Sequence, residues 1–245
     1  MVNYIIFDMD GVIFDTERFY LECLRPAAET VGLENIEEIA LACTGLTEEE
    51  TQKKLIAFYG PDAPLEQLNA ETMKHFRAKY EAEGFPEKPG VREILSWLRE
   101  MKIPTAIASS TRTDIVRKEL SDADLLDCFD VVIGGDLAEK SKPAPDVFLK
   151  AAEALKSAGA QDSAGASPAG EALDSAGASP AGAQDPDLSE FYVIEDSFNG
   201  IRAASAAGMR PLMVPDLLQP DDEIRALAWK VFPSLKEVLA YLKTE

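Results

Sequence analysis

Four short strings combine acids, hydroxyls and a lysine in spacings that could do chemistry. The first, Phe7-Asp8-Met9-Asp10-Gly11-Val12-Ile13-Phe14-Asp15-Thr16, sets two carboxylates two residues apart, directly after an apolar run. On a strand-like backbone, residues two apart face the same way, so Asp8 and Asp10 converge on one point. Gly11 permits a sharp turn after them. Such carboxylates can attack an electrophile, carry a proton or hold a cation. The second string, Val193-Ile194-Glu195-Asp196-Ser197, again places two acids after an apolar run. In the third, Ser109-Ser110-Thr111 follows the run ending at Ala108. Its hydroxyls could meet an anion or cap the next helix, because Thr111-Arg112-Thr113-Asp114 has the form of a capping box. Both roles are compatible, since a helix N-terminus is itself an anion site. The fourth, Lys140-Ser141-Lys142-Pro143-Ala144-Pro145-Asp146, holds a lysine at the entrance of a helix pattern. Four acids from two strand ends, converging beside a lysine, call for a cation between them. The bland alternative is a solvated acidic face with no site.

The elements that would position these groups are legible from periodicity. Apolar runs at 4–7, 104–108, 131–133, 191–194 and 212–214 have the length of fully buried strands. Helix patterns lie between them, such as Val91, Ile94, Leu95, Leu98 and Met101, or Val147, Ala151, Ala154 and Leu155 after Pro145. Ser234-Leu235-Lys236-Glu237 reads as a capping box opening a last helix. This alternation predicts an α/β fold: a doubly wound parallel sheet with helices on both faces, whose ligands bind at the carboxyl ends of strands. Residues 16–85 break the rhythm and read as helical throughout. Phe19, Tyr20, Cys23, Leu24, Ala27 and Val31 form one stripe, which Pro26 should kink. Leu65, Leu68, Met73, Phe76 and Tyr80 form another, and Thr47-Glu48-Glu49-Glu50 reads as a capping box. The expected organisation is a core of 1–15 and 86–245 with an inserted helical domain of 16–85. A nine-residue string starting at Asp162 recurs at Asp174. Its small residues and prolines cannot offset their ordering entropy, so 157–187 reads as a flexible surface insertion in the core. His75 reads as half-buried or solvent-facing rather than catalytic, while Trp97 and Trp229 fall among apolar helix positions and read as packing.

The chain has 245 residues and a net charge of −20. That charge argues against a non-specific nucleic-acid binder or an anionic-membrane binder. It leaves a phosphorylated substrate open, since one lysine and one metal ion neutralise a phosphate locally. Three cysteines without a C-x-x-C pair fit a reducing compartment. No run approaches the ~20 apolar residues of a membrane span, and an acid interrupts the first run too early for a secretory signal. A cytoplasmic protein is expected, and a monomer, since no long apolar face is spare.

Over its whole length except the repeat, the chain resembles the haloacid dehalogenase-like hydrolase superfamily. The branch is that of β-phosphoglucomutase and small sugar-phosphate phosphatases. The string Asp8 to Thr16 matches that family's first motif, Ser109 its second, Lys142-Pro143-Ala144-Pro145 its third and Glu195-Asp196 its fourth. The resemblance implies that Asp8 is the nucleophile and Asp10 the general acid and base. It implies Mg²⁺ held among Asp8, Asp10, Glu195 and Asp196. Ser109 and Ser110 would bind phosphate with Lys142, and the helical insertion would be a mobile cap whose Glu17, Tyr20, Thr44 and Glu48 set specificity. A halide leaves without a proton, so Asp10 favours phosphoryl transfer over dehalogenation. The implied activity is Mg²⁺-dependent phosphatase action on a small phosphorylated metabolite, a sugar or polyol phosphate, through an aspartyl-phosphate. The alternative is a phosphosugar mutase. Mutase-like members carry an Arg where this chain has Glu48 and tend to carry a His where it has Tyr20, and both departures point to a hydrolase. Lys74 and Arg77 are the cap's possible substitutes. A non-enzymatic receiver domain is a further alternative, but it is about half this length and has no helical insertion.

Overall fold

The apolar runs pair into one parallel sheet. The structure is a computed structural model and describes residues 2–44, 48–162 and 187–245. Its strands are β1 (Tyr4–Phe7), β2 (Thr105–Ala108), β3 (Val131–Ile133), β4 (Phe191–Glu195), β5 (Arg210–Met213) and β6 (Lys230–Val231). They run in the order β3-β2-β1-β4-β5-β6, every pair parallel. From β1 the chain builds outward to β2 and β3; from β4 it builds the other way. The β1–β4 boundary is therefore the switch point where connections diverge and leave a crevice. In register, Ile6 lies beside Ala106 on one side and Val193 on the other. The sixth strand was not expected from the sequence, because two residues carry no periodicity.

Alternate strand residues enter opposite cores, as the period of two requires. Ile5, Phe7, Ile107, Tyr192 and Ile194 pack under α5 (Val91–Met101), α6 (Thr113–Asp122) and α10 (Leu235–Leu242). Ile6, Ala106, Ala108 and Val193 pack under α7 (Asp146–Asp162) and α8 (Phe198–Ala206), through Phe148, Ala151, Leu155 and Ala203. Both faces are covered, which is why the strands read as continuous apolar runs. Ser234 caps α10 as expected, its Oγ accepting from the Lys236 N–H at 3.2 Å.

Between β1 and α5 lies an all-helical block: α1 (Thr16–Val31), α2 (Ile36–Cys43), α3 (Glu48–Tyr59) and α4 (Leu65–Glu83). Leu24, Ala27, Ala28, Ile36, Ile39 and Leu68 form its core. Helix α1 runs on through Pro26. Burial of Cys23, Leu24, Ala27 and Ala28 on either side of the proline holds the helix where one hydrogen bond is lost. Thr47 of the expected capping box and residues 163–186 of the expected insertion lie outside the described residues, whereas 157–162, read as the start of a flexible insertion, continue α7.

Two readings change. Arg112, not Thr111, is the N-cap of α6, and it makes no side-chain cap bond. The Thr113 N–H is taken instead by Asp136, at 2.7 Å. Trp229 is not packed in a core: it is 52% exposed, with the Arg210 guanidinium 4.9 Å from its ring. Trp97 does pack against the core. Among the described residues no helix is long and apolar enough to cross a membrane.

Candidate active site

Asp8 follows β1 at the switch point, and its backbone N–H bonds to Ile194 O at 2.9 Å. That bond extends the sheet by one step and sets Asp8 beside the end of β4, where Glu195 is fully buried. Lys142, just before α7, lies between the two acids. Its Nζ is 2.7 Å from Asp8 Oδ1 and 2.8 Å from Glu195 Oε1. The ammonium also donates to Ala108 O at 3.3 Å and sits over the Phe148 ring. Asp196 completes a group in which one oxygen each of Asp8, Glu195 and Asp196 lies within 4.8 Å of the others.

This cluster is short of positive charge. Burial, opposed by Lys142 but reinforced by Glu195 and Asp10, pushes the Asp8 carboxyl up to about 7. Burial, then Glu195, Asp8 and Asp216, holds Asp196 well above the usual carboxylate range. Three hard oxygen donors at one dry point, only partly neutralised by one lysine, suit a small divalent cation such as Mg²⁺.

Two glycines make the room. Gly11 has φ of 74°, the left-handed region its turn requires. A Cβ there would lie 2.2 Å from Asp196 Oδ2. In α8, a Cβ on Gly200 would stand 1.6 Å from Glu195 Oε1. Gly200→Ala is therefore expected to displace Glu195 despite the better helix propensity of alanine. It should cost about 1–3 kcal/mol, as overpacking does. Denaturant unfolding checks this, and a neutral Gly200→Ala would contradict the geometry.

Asp10 stands apart from the three-carboxylate group. β1 ends at Phe7, and residues 9–14 fold into a tight turn in which Ile13 N bonds Met9 O at 2.8 Å. The strand spacing therefore does not carry through to Asp10. Its Oδ2 accepts from Thr111 Oγ1 at 3.1 Å and from Ser109 Oγ at 3.5 Å. Ser109 is fully buried and accepts the Thr111 N–H at 3.0 Å, while Ser110 is exposed. Glu17, Tyr20 and Thr44 all line one cavity of about 630 Å³ in the helical block. Burial, then Asp10, Asp216 and Asp15, raises the Glu17 carboxyl. The Glu48 side chain lies outside what the structure describes.

Thr111, Gly200 and Asp216 were missed as site residues in the sequence. The Asp216 side chain, after β5, is 2% exposed and pairs with Lys88 at 2.7 Å and Arg18 at 2.6 Å. Arg18 stands in the first turn of α1, and Lys88 in the link from the helical block back to α5. The strand-end rule, applied also to the run 212–214, would have found Asp216.

Known proteins share this sequence and this fold. The sequence model of the haloacid dehalogenase-like hydrolase family matches residues 5–162. A phosphorylated carbohydrates phosphatase of Thermotoga maritima is 33% identical over 151 residues, 62% of this chain and 69% of that protein. The β-phosphoglucomutase of Bacillus subtilis is 27% identical over 157 residues, again 62% of this chain and 69% of the relative. Among solved structures, a candidate β-phosphoglucomutase of Thermotoga maritima superposes with a TM-score of 0.73 at 27% identity, covering 99% of both chains. A match over most of the chain, on the sheet that carries Asp8 and Lys142, makes this protein a member of the haloacid dehalogenase-like hydrolases, in the branch of phosphatases and β-phosphoglucomutases.

Proposed function

We propose that the protein is a Mg²⁺-dependent phosphatase acting on a small phosphorylated metabolite, in the class of sugar and polyol phosphates, through an aspartyl-phosphate on Asp8. The observation that carries this reading is the contact of the Lys142 ammonium with both Asp8 and Glu195 at the sheet's switch point. Residues 16–85 form the cap over a core of 1–15 and 86–245.

The Asp8 carboxylate attacks phosphorus, and the ester P–O bond breaks toward the alcohol. Asp10 gives its proton to the leaving alkoxide, then takes one from the water that cleaves the aspartyl-phosphate. Thr111 holds Asp10 Oδ2, so the other oxygen is free to carry that proton. Lys142 offsets the charge of nucleophile and phosphoryl oxygens, while Ser109 and Ser110 meet those oxygens from the end of β2. Asp8, Glu195 and Asp196 would hold Mg²⁺, which supplies further positive charge against the repulsion between carboxylate and phosphate dianion. Asp10 serves the proton transfers; its carboxylate is not among the three whose oxygens lie within 4.8 Å of one another.

A mutase reading draws support from the relatives that bear that name. It needs a cap cation to grip a second phosphate, and none of the described residues lining the cap cavity is Lys or Arg. Lys74, paired with Glu71 at 3.1 Å, and Arg77 are not among them. Phosphate release from a panel of sugar and polyol monophosphates with Mg²⁺ is the test, and EDTA should abolish it. Offered β-glucose 1-phosphate and a bisphosphate primer, the protein should yield free phosphate, or nothing, and not glucose 6-phosphate. Turnover unchanged by EDTA would remove the metal, and faster glucose 6-phosphate formation would replace phosphatase by mutase.

A further inference from the structure

The cap cavity is built for a substrate body without a second charge. About 630 Å³ at a water's share of about 30 Å³ holds about 20 water-sized groups, more than the heavy atoms of one pentose ring. Its walls are the block's own apolar core: Leu21, Leu24, Ile36, Leu55, Leu65 and Leu68. Its polar lining includes Glu17, Tyr20, Gln52 and Asn69, and Leu217, which follows β5, lines it as well. Gln52 and Asn69 make no side-chain hydrogen bond within the described protein, so both are available to a ligand's hydroxyls and carbonyls.

Cations are missing from it. None of the seven Lys and Arg of residues 16–85 lines the cavity, and the undescribed residues 45–47 and 163–186 contain neither residue type. Arg18, next to Glu17 in sequence, and Lys88 are both held on the buried Asp216. The charged groups that do face the space are Glu17 and Glu66. A second phosphate placed there would meet two carboxylates and a leucine wall with nothing to pair with it.

Resting on the phosphatase reading, we propose that the substrate is a sugar phosphomonoester with one phosphate only, whose sugar carries an uncharged planar ring and is thereby larger than a single sugar. The hydroxyl-bearing end of that sugar lies by Glu17 and Tyr20, and the ring lies among the leucines.

Three esters of the same primary alcohol test this without changing leaving-group reactivity: uridine 5′-monophosphate, ribose 5-phosphate and ribose 1,5-bisphosphate. The kcat/KM for phosphate release at the 5-position should be at least tenfold higher for the nucleotide than for ribose 5-phosphate. It should be at least tenfold lower for the bisphosphate. A nucleotide no better than ribose 5-phosphate, or a bisphosphate hydrolysed as well as it, overturns the proposal. Gln52→Arg, which sets a cation on the lining, should raise the bisphosphate-to-monophosphate ratio about tenfold, and an unchanged ratio counts against the cavity as the subsite. If no ester is hydrolysed, the phosphatase reading is what fails. Calorimetry with the free alcohols then decides for the cavity: uridine should bind at least tenfold more tightly than ribose, and equal or weaker binding overturns the proposal.

Discussion

Asp8→Asn is expected to abolish phosphate release, by at least about 10³-fold, while leaving the metal-free protein more heat-stable than wild type at pH 8. A thousandfold loss is about 4 kcal/mol in the barrier. Asn keeps the size of Asp8 and can still accept from Lys142, but it cannot form the acyl-phosphate. The stability gain follows from linkage. The folded Asp8 carboxyl titrates at about 7, against an ordinary value of 3.8, with burial as the leading cause. Between those values the folded chain binds a proton that the unfolded chain has released. Stability therefore falls as pH rises from about 4 through about 7, and the loss is complete above it. Asn has no proton to lose, so the variant escapes that decline. The difference in melting temperature should be clear at pH 8 in EDTA and shrink toward pH 5. Adding Mg²⁺ should stabilise wild type more than the variant, since the ion takes the ionised carboxylate. Activity within tenfold of wild type would remove Asp8 as nucleophile. A variant less stable than wild type at pH 8 in EDTA would remove the strained-carboxylate account.

The legible parts of this protein are those fixed by neighbours in sequence. A buried run followed by Asp8, or by Glu195 and Asp196, announces a strand end with chemistry, because a parallel sheet leaves its ligand crevice there. Lys142 is legible through the family resemblance, whose third motif the string Lys142-Pro143-Ala144-Pro145 matches. What the sequence hid depends on partners far along the chain. Thr111 reads as half of a capping box, yet its hydroxyl goes to Asp10, 101 residues away. Asp216 looks like a loop residue until Lys88 and Arg18 meet it, 128 and 198 residues away. Gly200 reads as a helix residue of poor propensity, and only the packed structure shows that a methyl group there would enter the Glu195 carboxylate. Asp10 shows the limit of a local rule. The period of two applies while the strand lasts, and β1 stops at Phe7.

Lys142→Met should cost about 3–5 kcal/mol of stability at pH 8 without metal, and at least about 100-fold in kcat. The Lys142 side chain is 7% exposed, and its partners Asp8 and Glu195 are 9% and 0% exposed. Removing one partner of a buried ion pair leaves the other as an uncompensated charge, which is where a loss of that size arises. Here two carboxylates are orphaned, with Asp196 adding its repulsion. Met keeps the length and apolar stem of lysine and a favourable contact with Phe148, so a cavity is not the cause. The pH dependence separates charge from packing. The orphaned acids can relieve their repulsion by protonation, so the deficit should shrink as pH falls from 8 to 5. A packing defect would persist unchanged. Mg²⁺ should restore more stability to Lys142→Met than to wild type, because it meets a larger excess of negative charge at the same oxygens. The kinetic loss is a separate consequence: the phosphoryl group gains negative charge beside Asp8 with one fixed cation fewer, an effect of about 3–4 kcal/mol in comparable sites. Urea unfolding at pH 5 and 8, each with EDTA and with Mg²⁺, gives the four stabilities required. A deficit under about 1 kcal/mol at pH 8, or one equal at both pH values, would show that Lys142 does not hold this carboxylate cluster together.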